Sequence, residues 1–306
     1  MILIFFINIL LSYFLLKITL PFFGKFFLDI PNKRSLHKKT VFRAGGIIFV
    51  ILSVIVSTFR GYYLPIFCLP LAIIGLIDDK INLSNSIRYL VQLATVICLI
   101  FNIFPSIHLN LFTLTFLIFF GTATINFINF MDGSDGLVAG CLSLALLFFS
   151  FKFNQEISLL AGALIGFLIL NWSPAKVFMG DVGSTFLGAI LFGIFLQTKS
   201  YEGALTVLLI TFPLIGDAFT CVLRRYFMGQ NIFKAHKLHL YQRLCESGWS
   251  HQNVAIIYLS FTFVLILSNL LGGFSSLVIV SGIIFLIGIW LDQTKAIKFK
   301  EASNLI

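Results

Sequence analysis

Apolar runs of roughly 16–22 residues recur from one end of this 306-residue chain to the other, separated by short polar breaks. That length matches the hydrocarbon thickness of a bilayer crossed by a helix. In lipid every backbone N–H and C=O must be satisfied internally, so such runs can only be helices. Mean hydropathy is +1.03 and only 11% of residues are charged, against about a quarter in a soluble domain. The chain is therefore expected to be an all-α polytopic membrane protein. Eleven spans are predicted, near 2–23, 44–59, 62–77, 88–104, 111–128, 136–151, 157–172, 184–198, 204–223, 254–271 and 274–291. The first run lacks a basic flank and a small-residue cleavage site, so it reads as a retained helix rather than a signal peptide. No linker or internal repeat interrupts the chain, and residues 1–306 read as one domain.

The net charge of +9 would suggest a nucleic-acid partner until the charges are placed. Seventeen Lys and Arg fall on one set of alternating loops; Arg60, Lys152 and Lys199 fall on the other, and Lys17 lies inside the first run. By the positive-inside rule the N-terminus is expected outside and the C-terminus in the cytoplasm. The basic excess then needs the lipid bilayer as partner and no nucleic acid. The five cysteines are scattered, with no C-x-x-C pair, and read as packing residues.

The acids are the sharper signal. Asp78, Asp79, Asp132, Asp135 and Asp181 are five of only 12 acidic residues, and all lie in three polar breaks: GLIDDK, NFINFMDGSDGL and VFMGDVGS. Carboxylates at membrane-helix ends are costly unless they face water, a cation or a partner. The topology, set by the basic residues alone, puts all three breaks on the cytoplasmic face. Adjacent carboxylates such as Asp78 and Asp79 can hold Mg²⁺ through oxygen or take a proton from a phosphate, although paired acids also end helices in water. Asn126, Asn129, Asp132 and Asp135 recur every three residues, which is read as one polar helix face; a cap needs one such residue, not four. Asn171 and Asp181 bracket WSPAKVFMG, and the helix expected after Gly183 offers N-terminal amides to an anion.

Two basic segments flank these acids. PNKRSLHKKTVFRAGG contains Lys39 and Arg43 and suits either an anionic-lipid surface or, through Gly45 and Gly46, a fold over a phosphate. The later segment combines His236, Lys237 and His239 with further cations. Zinc is not expected there, because no cysteine or third ligand stands at a zinc-like spacing; donors to a diphosphate fit better. Asp217, inside the ninth run, is expected to pair within the bundle with Arg224 or Arg225.

In this order the motifs resemble those of the polyprenyl-phosphate N-acetylhexosamine-1-phosphate transferases, glycosyltransferase family 4, from about Pro31 to Asn253. The resemblance implies UDP-N-acetylhexosamine and undecaprenyl phosphate as substrates, UMP as product and Mg²⁺ as cofactor, with Mn²⁺ as a substitute. It also implies a bacterial inner (cytoplasmic) membrane location, a cytoplasmic active site and room for a homodimer. Carried onto this chain, it makes Asp78, Asp79, Asp132, Asp181 and His239 catalytic, with Asp181 and Asp79 as metal ligands. Asn126, Asn129, Asp135, Asn171, His236, Lys237, Lys39 and Arg43 become substrate contacts. Three departures stand out: Asn82 replaces the usual third acid, Tyr241 and Gln242 replace later histidines, and Thr40-Val41-Phe42 replaces Pro-Thr-Pro. KAHKLHLYQRL looks like the branch that initiates lipopolysaccharide O-antigen, often on 6-deoxy sugars. The alternatives are a phospho-MurNAc-pentapeptide transferase of peptidoglycan synthesis, a secondary transporter and a non-catalytic scaffold. Against the transporter, the acids cluster at helix ends rather than at the midplane of repeated halves.

Overall fold

The computed structural model describes residues 1–23, 27–29, 40–104, 110–232, 234 and 236–303. Helices dominate it. They are α1 (Ile2–Phe23), α2 (Gly46–Phe59), α3 (Leu64–Ile81), α4 (Asn85–Ile103), α5 (Leu111–Met131), α6 (Leu137–Lys152) and α7 (Ile157–Asn171). After these come α8 (Gly180–Gln197), α9 (Tyr201–Ile210), α10 (Phe212–Phe227), α11 (Leu240–Glu246), α12 (His251–Thr294) and α13 (Phe299–Ser303). Two short strands, β1 (Leu28–Asp29) and β2 (Val41–Phe42), pair antiparallel with Leu28 opposite Phe42.

Helix covers every predicted run. By length and apolarity, five of the described helices can cross a membrane: α1, α4, α5, α8 and α12. The count reaches six if α9 and α10, bent by 79° where they meet, form one broken span. The bend corrects the continuous run expected over 204–223. Pro213 stands in the first turn of α10, where its missing N–H and fixed φ suit a helix start but not a helix interior. The two runs expected at the C-terminus, 254–271 and 274–291, fall on either side of a break within α12 at Gly273, whose φ of 69° lies in the left-handed region.

Several helices extend past the apolar runs into the polar breaks. α3 runs on to Ile81, α5 to Met131, and α8 begins at Gly180. The acids therefore ride on, or directly cap, rigid helix ends rather than free loops. Most of α8 is buried at the centre of the bundle, with α3 and α5 packed along it. Phe186, Phe192 and Ile125 lie in that interior with no exposure. α1 lies against α7, pinned by Asn8, whose amide donates to the Leu159 carbonyl at 3.1 Å.

Candidate active site

Helix packing this close needs glycine. A Cβ on Gly75 of α3 would stand 2.5 Å from the Asp181 carbonyl carbon and oxygen of α8. Gly180 has a φ of +72°, and a Cβ there would collide with the Asp79 carboxylate. With both side chains absent, Asp79 reaches over the start of α8. Its oxygens accept from the amides of Asp181 (3.0 Å) and Val182 (3.3 Å). The helix N-terminus expected to receive a substrate anion is thus occupied by an anion of the protein itself, as the dipole favours.

Arg43 arrives from another direction. The backbone of 42–46 docks on that of 177–179: the Phe178 amide donates to the Phe42 carbonyl (2.6 Å), Gly45 to Phe178 (3.0 Å) and Gly46 to Met179 (3.0 Å). Arg43 Nε then lies 2.8 Å from Asp79 and its Nη2 3.2 Å from Asp181. Arg88, on α4, closes the opposite side. Its Nη1 is 3.0 Å from Asp78 and its Nη2 2.8 Å from Asp181. Asp78 also accepts from the Leu83 amide at 2.6 Å. Sequence reasoning had counted Arg88 only toward membrane orientation. Its signal was local: Ser84 caps α4, placing Arg88 one turn into the helix that follows the Asp78-Asp79 break.

The electrostatics of the cluster are those of crowded carboxylates. Burial pushes Asp79 up to about 7, with Asp181 adding to the rise and Arg43 and the two amides opposing it. Asp78 is also raised, chiefly by burial. Asp132, at the C-cap of α5, is raised well above the usual carboxylate range by burial and by Asp181. Burial works against the Arg43 cation, but Asp79 and Asp181 outweigh it and hold its pKa above the ordinary value. Four carboxylates against two guanidinium groups would leave two formal negative charges when ionised. Hard oxygen donors with that excess suit a small dication.

The four-residue polar face is corrected. Three residues advance a helix by about 300°, so each step lags a full turn by about 60°, and α5 ends before Asp135. Asn126 exchanges hydrogen bonds with Gln92 of α4 (2.8 and 3.2 Å). Asn129 accepts from the Ser184 hydroxyl at 2.6 Å. Asp132 shares the electrostatics of Asp79 and Asp181. Asp135 turns elsewhere, accepting from the Ala175 amide at 3.1 Å and lying 3.6 Å from His251. Asn171 likewise joins two loops, accepting from the Gly136 amide (3.1 Å) and donating to the Val177 carbonyl (2.9 Å). In this structure Asp135 and Asn171 are braces, with their polar atoms directed at the protein. Lys39 lies outside the described residues.

The histidine segment is built on Asp217. Contrary to expectation, that carboxylate does not pair with Arg224 or Arg225. It accepts from the amides of Leu240 (2.7 Å) and Tyr241 (3.1 Å) and from the Tyr258 hydroxyl (2.7 Å). It thereby caps α11 and fixes His239 immediately before it. Arg224 and Arg243 instead bind Asp292, and Arg225 holds the Asn231 and Ile232 carbonyls. His239 is almost fully buried, His236 is half-buried, and their rings are 5.0 Å apart. Burial, helped by Arg225, pushes both down to about 3, so both rings are neutral at pH 7. Lys237 lies 3.7 Å from Glu246. Tyr241, at one of the substituted positions, is buried and donates to the Phe130 carbonyl at 3.0 Å, docking α11 against the end of α5 two residues before Asp132.

The helical bundle, with helices long and apolar enough to cross a membrane, gathers carboxylates and arginines at its helix ends, donors and acceptors able to engage phosphates and cations. Residues 62–199 match the family described as Glycosyl transferase family 4. A phospho-N-acetylmuramoyl-pentapeptide-transferase of Clostridium novyi is 32% identical over 78% of this chain and 83% of its own length. An undecaprenyl-phosphate alpha-N-acetylglucosaminyl 1-phosphate transferase of Thermotoga maritima is 31% identical over 76% and 79%. A probable undecaprenyl-phosphate N-acetylglucosaminyl 1-phosphate transferase of Bacillus subtilis is 28% identical over 76% and 73%. The chain belongs to glycosyltransferase family 4, the polyprenyl-phosphate N-acetylhexosamine-1-phosphate transferases.

Proposed function

We propose that this protein transfers an N-acetylhexosamine 1-phosphate from a UDP-sugar to undecaprenyl phosphate, releasing UMP, and so begins an O-antigen or another cell-envelope glycan. The observation that carries the reading is the convergence of Asp78, Asp79 and Asp181 with Arg43 and Arg88 at the ends of α3, α4 and α8. In this reading all eleven predicted runs cross a bacterial inner membrane with the N-terminus outside, and the cluster faces the cytoplasm, where UDP-sugars are found.

An oxygen of the lipid phosphate attacks the β-phosphorus of the UDP-sugar. The bond from that phosphorus to the bridging oxygen breaks, and the bridging oxygen leaves with UMP. Asp181 and Asp79 are the residues that would hold Mg²⁺, or Mn²⁺ in its place. A dication so held offsets repulsion between the anionic reactants and stabilises charge on the leaving phosphate. Asp78 orients the lipid phosphate and takes any proton it carries. Arg43 and Arg88, fork donors suited to phosphate, would turn from their carboxylates to phosphate oxygens. Asp132 and Asn129 border the nucleotide-sugar. His239, His236 and Lys237 approach the diphosphate from the far side, while Asp135 and Asn171 act through the backbone they hold and Asn126 through Gln92 of α4.

Tyr241 and Gln242, in place of histidines, support the O-antigen branch and a 6-deoxy sugar over the peptidoglycan substrate. The test uses membrane vesicles given undecaprenyl phosphate and a panel of labelled UDP-sugars, including UDP-MurNAc-pentapeptide. The expected result is a lipid-linked product from a UDP-N-acetylhexosamine, with release of UMP. Product from the pentapeptide substrate alone would reassign the pathway, and no product from any would support a scaffold.

A further inference from the structure

The sequence argued against a soft-metal site beside the histidines because no cysteine lies near them in the chain. The fold supplies one. Cys221, fifteen positions before His236 in the chain, sits on α10 one turn after Asp217 and packs against Leu238. One ligand atom each from Cys221, His236 and His239 lies within 4.8 Å of the others.

We infer that Cys221, His236 and His239 form a binding site for a zinc-class divalent ion, distinct from the carboxylate cluster. Several independent features agree with this. Cys221 and His239 are both nearly excluded from solvent, and the Nδ1 of His239 is buried with no hydrogen-bond partner. Such an atom is costly unless something fills its valence. His236 Nδ1 accepts from the Leu238 amide at 3.2 Å, a contact that binding of the ion at that nitrogen would replace. One thiolate and two imidazoles are donors zinc prefers over Mg²⁺, and three protein ligands leave a fourth position open. Ligand atoms around tetrahedral zinc lie roughly 3.3–3.8 Å apart, so the side chains need to close by about 1 Å.

The surroundings bear both signs of charge. The Asp217 carboxylate is 3.9 Å from His239 Nδ1, on the side of that same ring nitrogen, and would offset part of the ion's charge. Arg225 and Arg243 oppose it. Binding would convert the Cys221 thiol to a thiolate and release one proton, leaving a formal charge of +1 on the ion and its ligands. A cavity of about 270 Å³ reaches the cysteine side of the site, lined in part by Cys221, Asp217 and Leu238 but by neither histidine. The bound ion would tie α10 to the segment that leads into α11. The site is read out by metal binding and not by turnover, so this inference does not rest on the proposed transferase reading.

The test is titration of the full-length, detergent-purified, chelator-stripped protein with Zn²⁺ and Co²⁺ in excess Mg²⁺. One equivalent should bind, Co²⁺ should give a thiolate charge-transfer band in the near ultraviolet, and Zn²⁺ should raise the Tm. Cys221→Ser should abolish the band and weaken Zn²⁺ by at least the about ten- to hundredfold that loss of an outer partner costs. His236→Asn, at a half-buried position, should weaken Zn²⁺ as much and serves if Cys221→Ser does not fold. Absence of stoichiometric binding, displacement by Mg²⁺, or a band and affinity unchanged in both variants would overturn the site.

Discussion

Replacing Gly75 by alanine adds one methyl group at the tightest point between α3 and α8. The new Cβ would stand 2.5 Å from the Asp181 carbonyl carbon and oxygen, whereas ordinary contact begins at 3.4 Å. Backbone atoms of a buried helix cannot rotate aside, so the helices must separate locally by about 0.9 Å. Asp79 accepts from the Asp181 and Val182 amides at 3.0 and 3.3 Å, and a displacement of that size along those bonds takes both past hydrogen-bond reach. Overpacking of this kind costs about 1–3 kcal/mol of stability. A misplacement of about 1 Å at a reacting centre costs about a hundredfold in rate. Gly75→Ala is therefore expected to lower Tm modestly and to cut UMP release about a hundredfold. Gly282→Ala, whose Cβ would meet nothing within 4 Å, serves as the control and should be silent. Gly75→Ala with an unchanged Tm and turnover within threefold of the parent would refute the claim that this contact positions the cluster.

Asp181→Asn should retain the fold and lose most turnover at low Mg²⁺, since a neutral amide is a poor ligand for a hard dication; near-normal kcat would remove Asp181 from that role. Arg88→Ala should tighten Mn²⁺ binding, measured by electron paramagnetic resonance. At roughly 5 Å and an effective dielectric of about 20 one cation repels another unit charge by about 3 kcal/mol; screening at a side chain 27% exposed reduces the expected gain to about tenfold. Weaker Mn²⁺ binding would show that Arg88 builds the site instead of balancing it. In chelator-stripped protein His239 takes up its proton near pH 3 when folded but near 6.5 when unfolded. The unfolded state then binds more protons between those values, so the His239 contribution is complete above pH 6.5 and is lost as pH falls toward 3. A His239→Gln variant should accordingly show a shallower fall in Tm between pH 6.5 and 5, and parallel curves would contradict the burial argument. Reporter fusions after Arg43, Lys80 and Arg243 should read as cytoplasmic and those near Lys152 and Lys199 as external; a reversed pattern would move the cluster to the wrong side for UDP-sugars.

Much of this protein was legible in the chain because lipid leaves the backbone few choices. Apolar runs of bilayer length must be helical, so helix class and approximate helix positions followed from composition and spacing alone. The expectation that Asp78, Asp79 and Asp181 need water, a cation or a partner followed from the cost of carboxylates in such a setting, and each is paired with an arginine. Ser84 and Pro213 carried local signals for a cap and a helix start, but the runs expected over 88–104 and 204–223 did not use them. Contacts between distant segments carry no comparable signal. Nothing in GLIDDK says that its second aspartate caps α8, because that depends on Gly75 and Gly180, 105 positions apart, each leaving room for the other helix. Nothing local separates Asp132, which faces the cluster, from Asp135, which braces the 175 loop; a three-residue step looks periodic but does not keep one face. The partners of Asp217, the role of Arg88 and the meeting of Cys221 with two histidines were decided by tertiary packing, which alone selects which of many compatible donors and acceptors come within 3 to 5 Å.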